Sequence, residues 1–185
     1  MGISETIWSD PVEYLRSVGP NDPVMFLSPA ALQAQARRFL DGFPGLLTYA
    51  VKSNPHEAIL TNLAAAGVRG FDVASPEEIA LIRRLVPDAA LHYNNPVRAR
   101  HEIVFAVGRD VASYSVDSLS ELDKLFALVP THRANGERVE ITARYKQPVA
   151  GAAYDFGAKF GATEDLAAEI LRRVAERGYT PSLTF

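Results

Sequence analysis

Short apolar runs recur along this chain, each followed by an amphipathic segment, and this alternation limits the fold more than any other feature. The first clear run, Leu46-Leu47-Thr48-Tyr49-Ala50-Val51, ends abruptly on Lys52-Ser53-Asn54-Pro55. Gly70-Phe71-Asp72-Val73-Ala74, Ala89-Ala90-Leu91-His92-Tyr93 and Tyr114-Ser115-Val116-Asp117 follow, and Arg138 to Tyr145 alternates at period two. Runs of this length bounded by turn residues read as strands, and the lysine run reads as one buried on both faces, as in a parallel sheet. Between them lie helical segments: Ser28-Pro29, Ser75-Pro76-Glu77-Glu78 and Ser118 supply N-caps, and Gly67 and Gly178 supply stops. The last helix begins near Thr163, and Pro181-Ser182-Leu183-Thr184-Phe185 opens a further strand.

Repeated strand–helix units imply parallel strands joined by right-handed crossovers. An open doubly wound sheet usually carries a glycine-rich phosphate loop after its first strand, and here that turn is Lys-Ser-Asn-Pro. A (β/α)8 TIM-type barrel therefore fits better, although such a barrel takes roughly 250 residues and eight strands. This sequence holds five βα units and the start of a sixth strand. The expected class is α/β, an incomplete barrel over residues 24–185 preceded by a lead-in over 1–23, with Val24-Met25-Phe26-Leu27 as a short strand.

A net charge of -3 with interspersed signs argues against nucleic acid as a partner, and the lack of cysteine excludes disulfide frameworks and thiolate metal sites. No stretch approaches the roughly 18 uninterrupted apolar residues of a membrane span, and Met1 to Asp10 lacks the apolar core of a leader, so the expectation is a cytoplasmic protein with no membrane and no metal. Lys52 at a strand's C-terminal end sits where barrels build active sites, though strands also end on charges that snorkel into water. Asp72 within a buried run needs a partner. Glu78 in a first helical turn also suits the helix dipole, and Arg144 also suits pairing with Glu140. His92 reads as a core histidine, Asn94 and Asn95 as turn builders, and Asp117 as either pocket-facing or a cap.

The blocks Tyr49-Ala50-Val51-Lys52-Ser53-Asn54, Phe71-Asp72-Val73-Ala74-Ser75-Pro76-Glu77-Glu78-Ile79, Asn94-Asn95-Pro96, Val116-Asp117-Ser118-Leu119-Ser120-Glu121-Leu122 and Lys159-Phe160-Gly161 together resemble, in order and spacing, the pyridoxal-phosphate (PLP) barrel decarboxylases of the alanine-racemase fold. Asn-Asn-Pro-Val-Arg is similar to the ornithine and lysine decarboxylase branch rather than the diaminopimelate branch, with Arg98 departing from the usual lysine. The resemblance implies that Lys52 forms the internal Schiff base with PLP, that Asp72 and Glu78 line the cofactor pocket, that Arg144 orders the site and that Lys159 supports catalysis from a mobile loop. A Schiff-base lysine reacts as the free amine, which a buried stem or a neighbouring cation favours.

The same resemblance implies decarboxylation of ornithine, or of lysine, to a diamine in polyamine synthesis, by a homodimer when the enzyme is whole. In the family a His-x-Gly-Ser segment, a phosphate cradle, the acid at the ring nitrogen and a C-terminal β domain follow the strand that opens at Pro181. The expectation is therefore that this chain covers part of an enzyme and is inactive alone. The alternatives are a non-catalytic regulatory homologue, a diaminopimelate decarboxylase and a racemase of the same fold, and the intact Lys52 argues against the first of these.

Overall fold

The computed structural model describes residues 7–147 and 159–185, so most of the Gly- and Ala-rich loop before Lys159 lies outside the described residues. Six strands form one parallel sheet in sequence order: β1 (Thr48–Ala50), β2 (Gly70–Val73), β3 (Ala90–Tyr93), β4 (Ser113–Val116), β5 (Glu140–Arg144) and β6 (Thr180–Thr184). Between them run α3 (Glu57–Ala66), α4 (Pro76–Leu85), α5 (Arg100–Val107), α6 (Leu119–Leu128) and α7 (Glu164–Glu176), preceded by α1 (Pro11–Val18) and α2 (Pro29–Gly42). None of the described helices is long and apolar enough to cross a membrane.

The caps are those the sequence suggests. Ser28 Oγ accepts from Ala31 N, Ser75 Oγ from Glu78 N and Ser118 Oγ from Glu121 N, each at 3.3 Å. Proline follows the first two at a position whose missing N–H costs nothing.

Period-two alternation divides the sheet into two chemically different faces. Phe71, Val73, Leu91, Tyr93, Tyr114, Val116, Ile141 and Ala143 lie in the core with the helices, nearly all of them without exposed area. The opposite face carries Asp72, His92, Ser113, Ser115, Glu140, Thr142 and Arg144. A barrel interior filled by aliphatic layers would not need that polarity.

Three sequence expectations change. The lysine run is not buried on both faces: β1 is an edge strand, with Thr48 exposed and Tyr49 and Ala50 half-buried, because a partner strand lies on one side only. Val24 to Leu27 joins no sheet, and those four residues are exposed. The lead-in contains α1, which buries none of its residues; Asp10 caps it by accepting from Val12 N at 2.7 Å and Glu13 N at 2.9 Å.

Arg98, the departure from the family's lysine, is fully buried and fastens β3 to β4. Its Nη1 donates to Tyr93 O at 3.2 Å and its Nη2 to Ser115 O at 2.5 Å. The guanidinium lies 5.1 Å from the Tyr93 ring and 5.8 Å from that of Tyr114, within cation–π range. Burial pushes the Tyr93 hydroxyl up to about 12 and the Tyr114 hydroxyl higher still, so both stay neutral beside the cation. Lys124 closes the cluster by donating to Arg98 O at 2.5 Å while pairing with Glu121.

Candidate active site

The C-terminal ends of the strands bring most of the sequence-predicted residues to one edge. Strand register aligns Ala50, Asp72, His92, Ser113, Glu140 and Thr180 in an oblique row across the polar face, from the last residue of β1 to the first of β6, with Arg144 at the far end of β5. Lys52 stands two residues beyond Ala50, in the single 3-10 turn Val51–Ser53 that ends β1. Val51 points the other way and is fully buried, which anchors the turn. Lys52 itself is exposed, so the expected burial of its stem is not found; β1 is the sheet edge and leaves one flank open. Among the described residues its amine has neither a hydrogen-bond nor an ion-pair partner, and Asn54 and Pro55 turn the chain away toward α3.

Asp72 faces this corner. Burial pushes its carboxyl above the ordinary range, opposed by the nearby Asn94 side chain and by the charges of Lys52, His92 and Arg144. The acid is thus held between two tendencies, and three basic side chains act on one carboxylate. Asn94, read from sequence as a turn builder, is also a polar neighbour of Asp72 that opposes the effect of burial. The signal was its spacing: Asn94 lies two residues beyond His92, so it shares the face that Asp72 occupies. Asn95 does build the turn, accepting from Val97 N at 3.3 Å through Oδ1.

Glu78 is half-buried, and its Oε2 accepts from Ala74 N at 2.7 Å, fixing the turn between β2 and α4. His92 is only half satisfied: Nδ1 lies 2.8 Å from Ser113 Oγ, while Nε2 is buried with no partner among the described residues. Burial lowers its pKa, against the pull of Glu140 and Asp72, so the ring is neutral near pH 7. Arg144 does not pair with Glu140, which accepts from Thr142 Oγ1 at 3.2 Å. Its guanidinium lies 5.3 Å from the Phe160 ring, and Lys159 Nζ lies 5.5 Å from the same ring.

Away from this edge, a hollow of about 300 Å3 lined by Val107, Val111, Tyr114, Val129 and Val139 opens toward the N-terminal ends of the strands. That end of a parallel sheet serves stability rather than chemistry. No group of three or more His, Cys, Asp or Glu among the described residues is placed to hold a metal.

Residues 30–179 match the family model described as pyridoxal-dependent decarboxylase, pyridoxal binding domain. The chain belongs to this family. It is 30% identical over 162 residues to an ornithine decarboxylase of Panagrellus redivivus, covering 86% of this chain and 35% of that protein. It is 33% identical over 131 residues to a lysine/ornithine decarboxylase of Selenomonas ruminantium, covering 70% and 31%. Among solved structures, the Paramecium bursaria Chlorella virus arginine decarboxylase bound to agmatine superposes with a TM-score of 0.77 at 23% identity, over 93% of this chain and 46% of that one. The chain thus spans about a third of the length of these curated relatives. The six-stranded parallel sheet is part of the pyridoxal-binding barrel of the decarboxylase family.

The residues present fit the family's cofactor, PLP. An aldehyde needs an amine free of other partners, and Lys52 offers one at the strand ends. The amine stands above a face whose acid, amide, imidazole and guanidinium converge on Asp72.

Proposed function

We propose that this chain is the cofactor-holding part of a PLP-dependent carboxy-lyase that removes CO2 from ornithine, or from lysine, and releases a diamine for polyamine synthesis. The observation that carries the reading is the Lys52 amine at the strand ends, without a partner among the described residues and grouped electrostatically with Asp72 and Arg144 in a chain of the pyridoxal-dependent decarboxylase family. The relatives named for ornithine and for lysine/ornithine support the substrate class.

When bound, PLP supplies the electron sink for the bond broken at the α-carboxylate. Lys52 would hold the cofactor through Nζ, an amine with no other partner among the described residues. Asp72 and Glu78 take supporting places in the cofactor pocket. Asp72 balances the positive charges of Lys52 and Arg144, and its raised pKa lets it hold a proton at Oδ more readily than an ordinary aspartate. Glu78 keeps the turn after β2 in shape through Ala74 N–H. Arg144 orders the far side of the site, and Lys159 brings an ammonium to the same edge, where it attracts an acidic group of the substrate.

In this reading residues 1–23 are a lead-in and residues 24–185 the partial PLP-binding barrel domain. The working enzyme is a cytoplasmic homodimer. Product analysis with PLP and ornithine, lysine or diaminopimelate tests the reading, on a polypeptide that also supplies the remaining barrel strands. Diamine from the first two, lost in Lys52→Ala, supports it. Diamine formation that survives Lys52→Ala contradicts it.

A further inference from the structure

Asp117, one residue past β4, reaches a segment 44 residues away: its Oδ2 accepts from Gly161 N at 3.1 Å. The segment is also stitched to the end of β5, with Ala162 N donating to Arg144 O at 2.7 Å and Lys146 N donating to Ala162 O at 3.0 Å. These bonds make a short parallel bridge between Tyr145 and Ala162. Gly161 is required at the crossing. Its φ is +114°, and a Cβ there would lie 2.8 Å from Lys146 Cβ and 3.0 Å from Lys146 N. The Asp117 carboxylate therefore meets a backbone N–H at a residue where a side chain would clash with the chain beside it. The ring of that residue's neighbour Phe160 lies 5.3 Å from the Arg144 guanidinium and 5.5 Å from Lys159 Nζ.

We propose that Asp117 is a positioning residue: it holds Gly161 so that Phe160 stays against Arg144 and Lys159 is kept at the C-terminal edge of the sheet. Register supports the placement. Val116 pairs with Ala143, so Asp117 and Arg144 leave adjacent strands at the same level. Held against an aromatic ring, the Arg144 guanidinium stays out of solvent-exposed ion pairs, and its charge reaches Asp72. The helix-cap reading of Asp117 loses its basis, because Ser118 is the N-cap of α6. The functional meaning of this latch rests on the reading of the strand ends as the PLP site, but the latch itself does not.

The test is amide exchange and side-chain NMR on the polypeptide that also supplies the remaining barrel strands, comparing wild type with Asp117→Ala, Asp117→Asn and Gly161→Ala. Exchange of the Gly161 amide is expected to quicken about tenfold in Asp117→Ala, as befits loss of a charge-assisted bond. The ring-current shift of the Arg144 side chain from Phe160 should be lost there, while the Ile141 and Ala143 amides keep their protection. Asp117→Asn keeps an acceptor oxygen and should restore most of both signals. Gly161→Ala displaces the segment with Asp117 intact and should lose the Arg144 shift too, which keeps the test decisive if Asp117→Ala does not fold. An unchanged Gly161 amide and Arg144 shift in Asp117→Ala would overturn the proposal, as would equal loss in the alanine and asparagine variants spread over β4 and β5. Borohydride capture of PLP on Lys52, run on the same samples, reports separately on the cofactor reading. Failure of capture with an intact latch counts against that reading alone.

Discussion

Asp72 sets the character of the site because the sheet pushes its proton affinity up while its neighbours pull it down. The net direction is upward, so the fold disfavours the ionised form. Such a group contributes most favourably below the unfolded-state value of about 3.9, and that contribution is lost as pH rises through the folded-state value. Asp72→Asn is therefore expected to raise the thermal midpoint at pH 7, with the gain vanishing as the buffer is taken down toward about pH 3.5. A gain that stays constant across that range in parallel melts would argue against burial as the cause.

His92 works in the other sense. Its folded-state pKa is lowered, so stability is retained above the unfolded value of 6.5 and lost as pH falls through that value toward the folded one. Replacing it with glutamine should flatten the drop in stability between about pH 7 and 5, measured by urea titration at each pH. At this scale the motifs singled out Lys52 and Asp72, and the resemblance Arg144, while their neighbours in space stayed hidden. Asn94 acts on Asp72 from 22 positions further along the chain, and Asp117 meets Gly161 across 44, distances that no local pattern reports.

Among elements, the strand and helix order was legible from apolar runs and from serine–proline starts, since those signals are local. The turn after β2 shows why such starts work. Ser75 Oγ accepts from Glu78 N at 3.3 Å while Glu78 returns to Ala74 N at 2.7 Å. Ser75→Ala should cost about 1 kcal/mol in a denaturant titration, the usual worth of an N-cap. What escaped were features decided by tertiary placement. A strand looks the same in sequence whether it ends up central or at an edge, and β1 became an edge. Helix α1 escaped because its eight residues start on a proline in a polar stretch and bury nothing.

Arg98 belongs to the same lesson: the sequence showed an ordinary departure from lysine, and the structure shows a guanidinium bonded to carbonyls of two strands between two tyrosine rings. Arg98→Ala should destabilise the chain by about 3–5 kcal/mol, because the buried carbonyls of Tyr93 and Ser115 lose their donor and a large side chain leaves the core. Arg98→Lys should recover only part of that, since a point charge cannot serve both carbonyls in one plane. Unfolding midpoints for the two variants check both statements.

Across the whole molecule, the sheet has one apolar face under helices and one polar face that converges on the ends of its strands. The two edge strands stand open, and large apolar side chains lie exposed near both: Phe43 and Leu46 by β1, Leu183 and Phe185 at β6. Exposed edges with apolar neighbours favour association. The isolated chain is therefore expected to bind a hydrophobic dye and to scatter light increasingly with concentration, and a monodisperse, dye-silent chain would contradict that picture.

The central claim is that Lys52 is the residue that takes PLP, and its amine is one of only four lysine amines in the chain, with Lys124, Lys146 and Lys159. The most direct measurement is incubation with PLP at limiting concentration, borohydride reduction and peptide mapping. The expected result is a pyridoxyl group on Lys52 in clear excess over the other three, lost in Lys52→Arg and weakened in Asp72→Ala. A label spread evenly over all four lysines, or one that persists at the same level in Lys52→Arg, would contradict the claim.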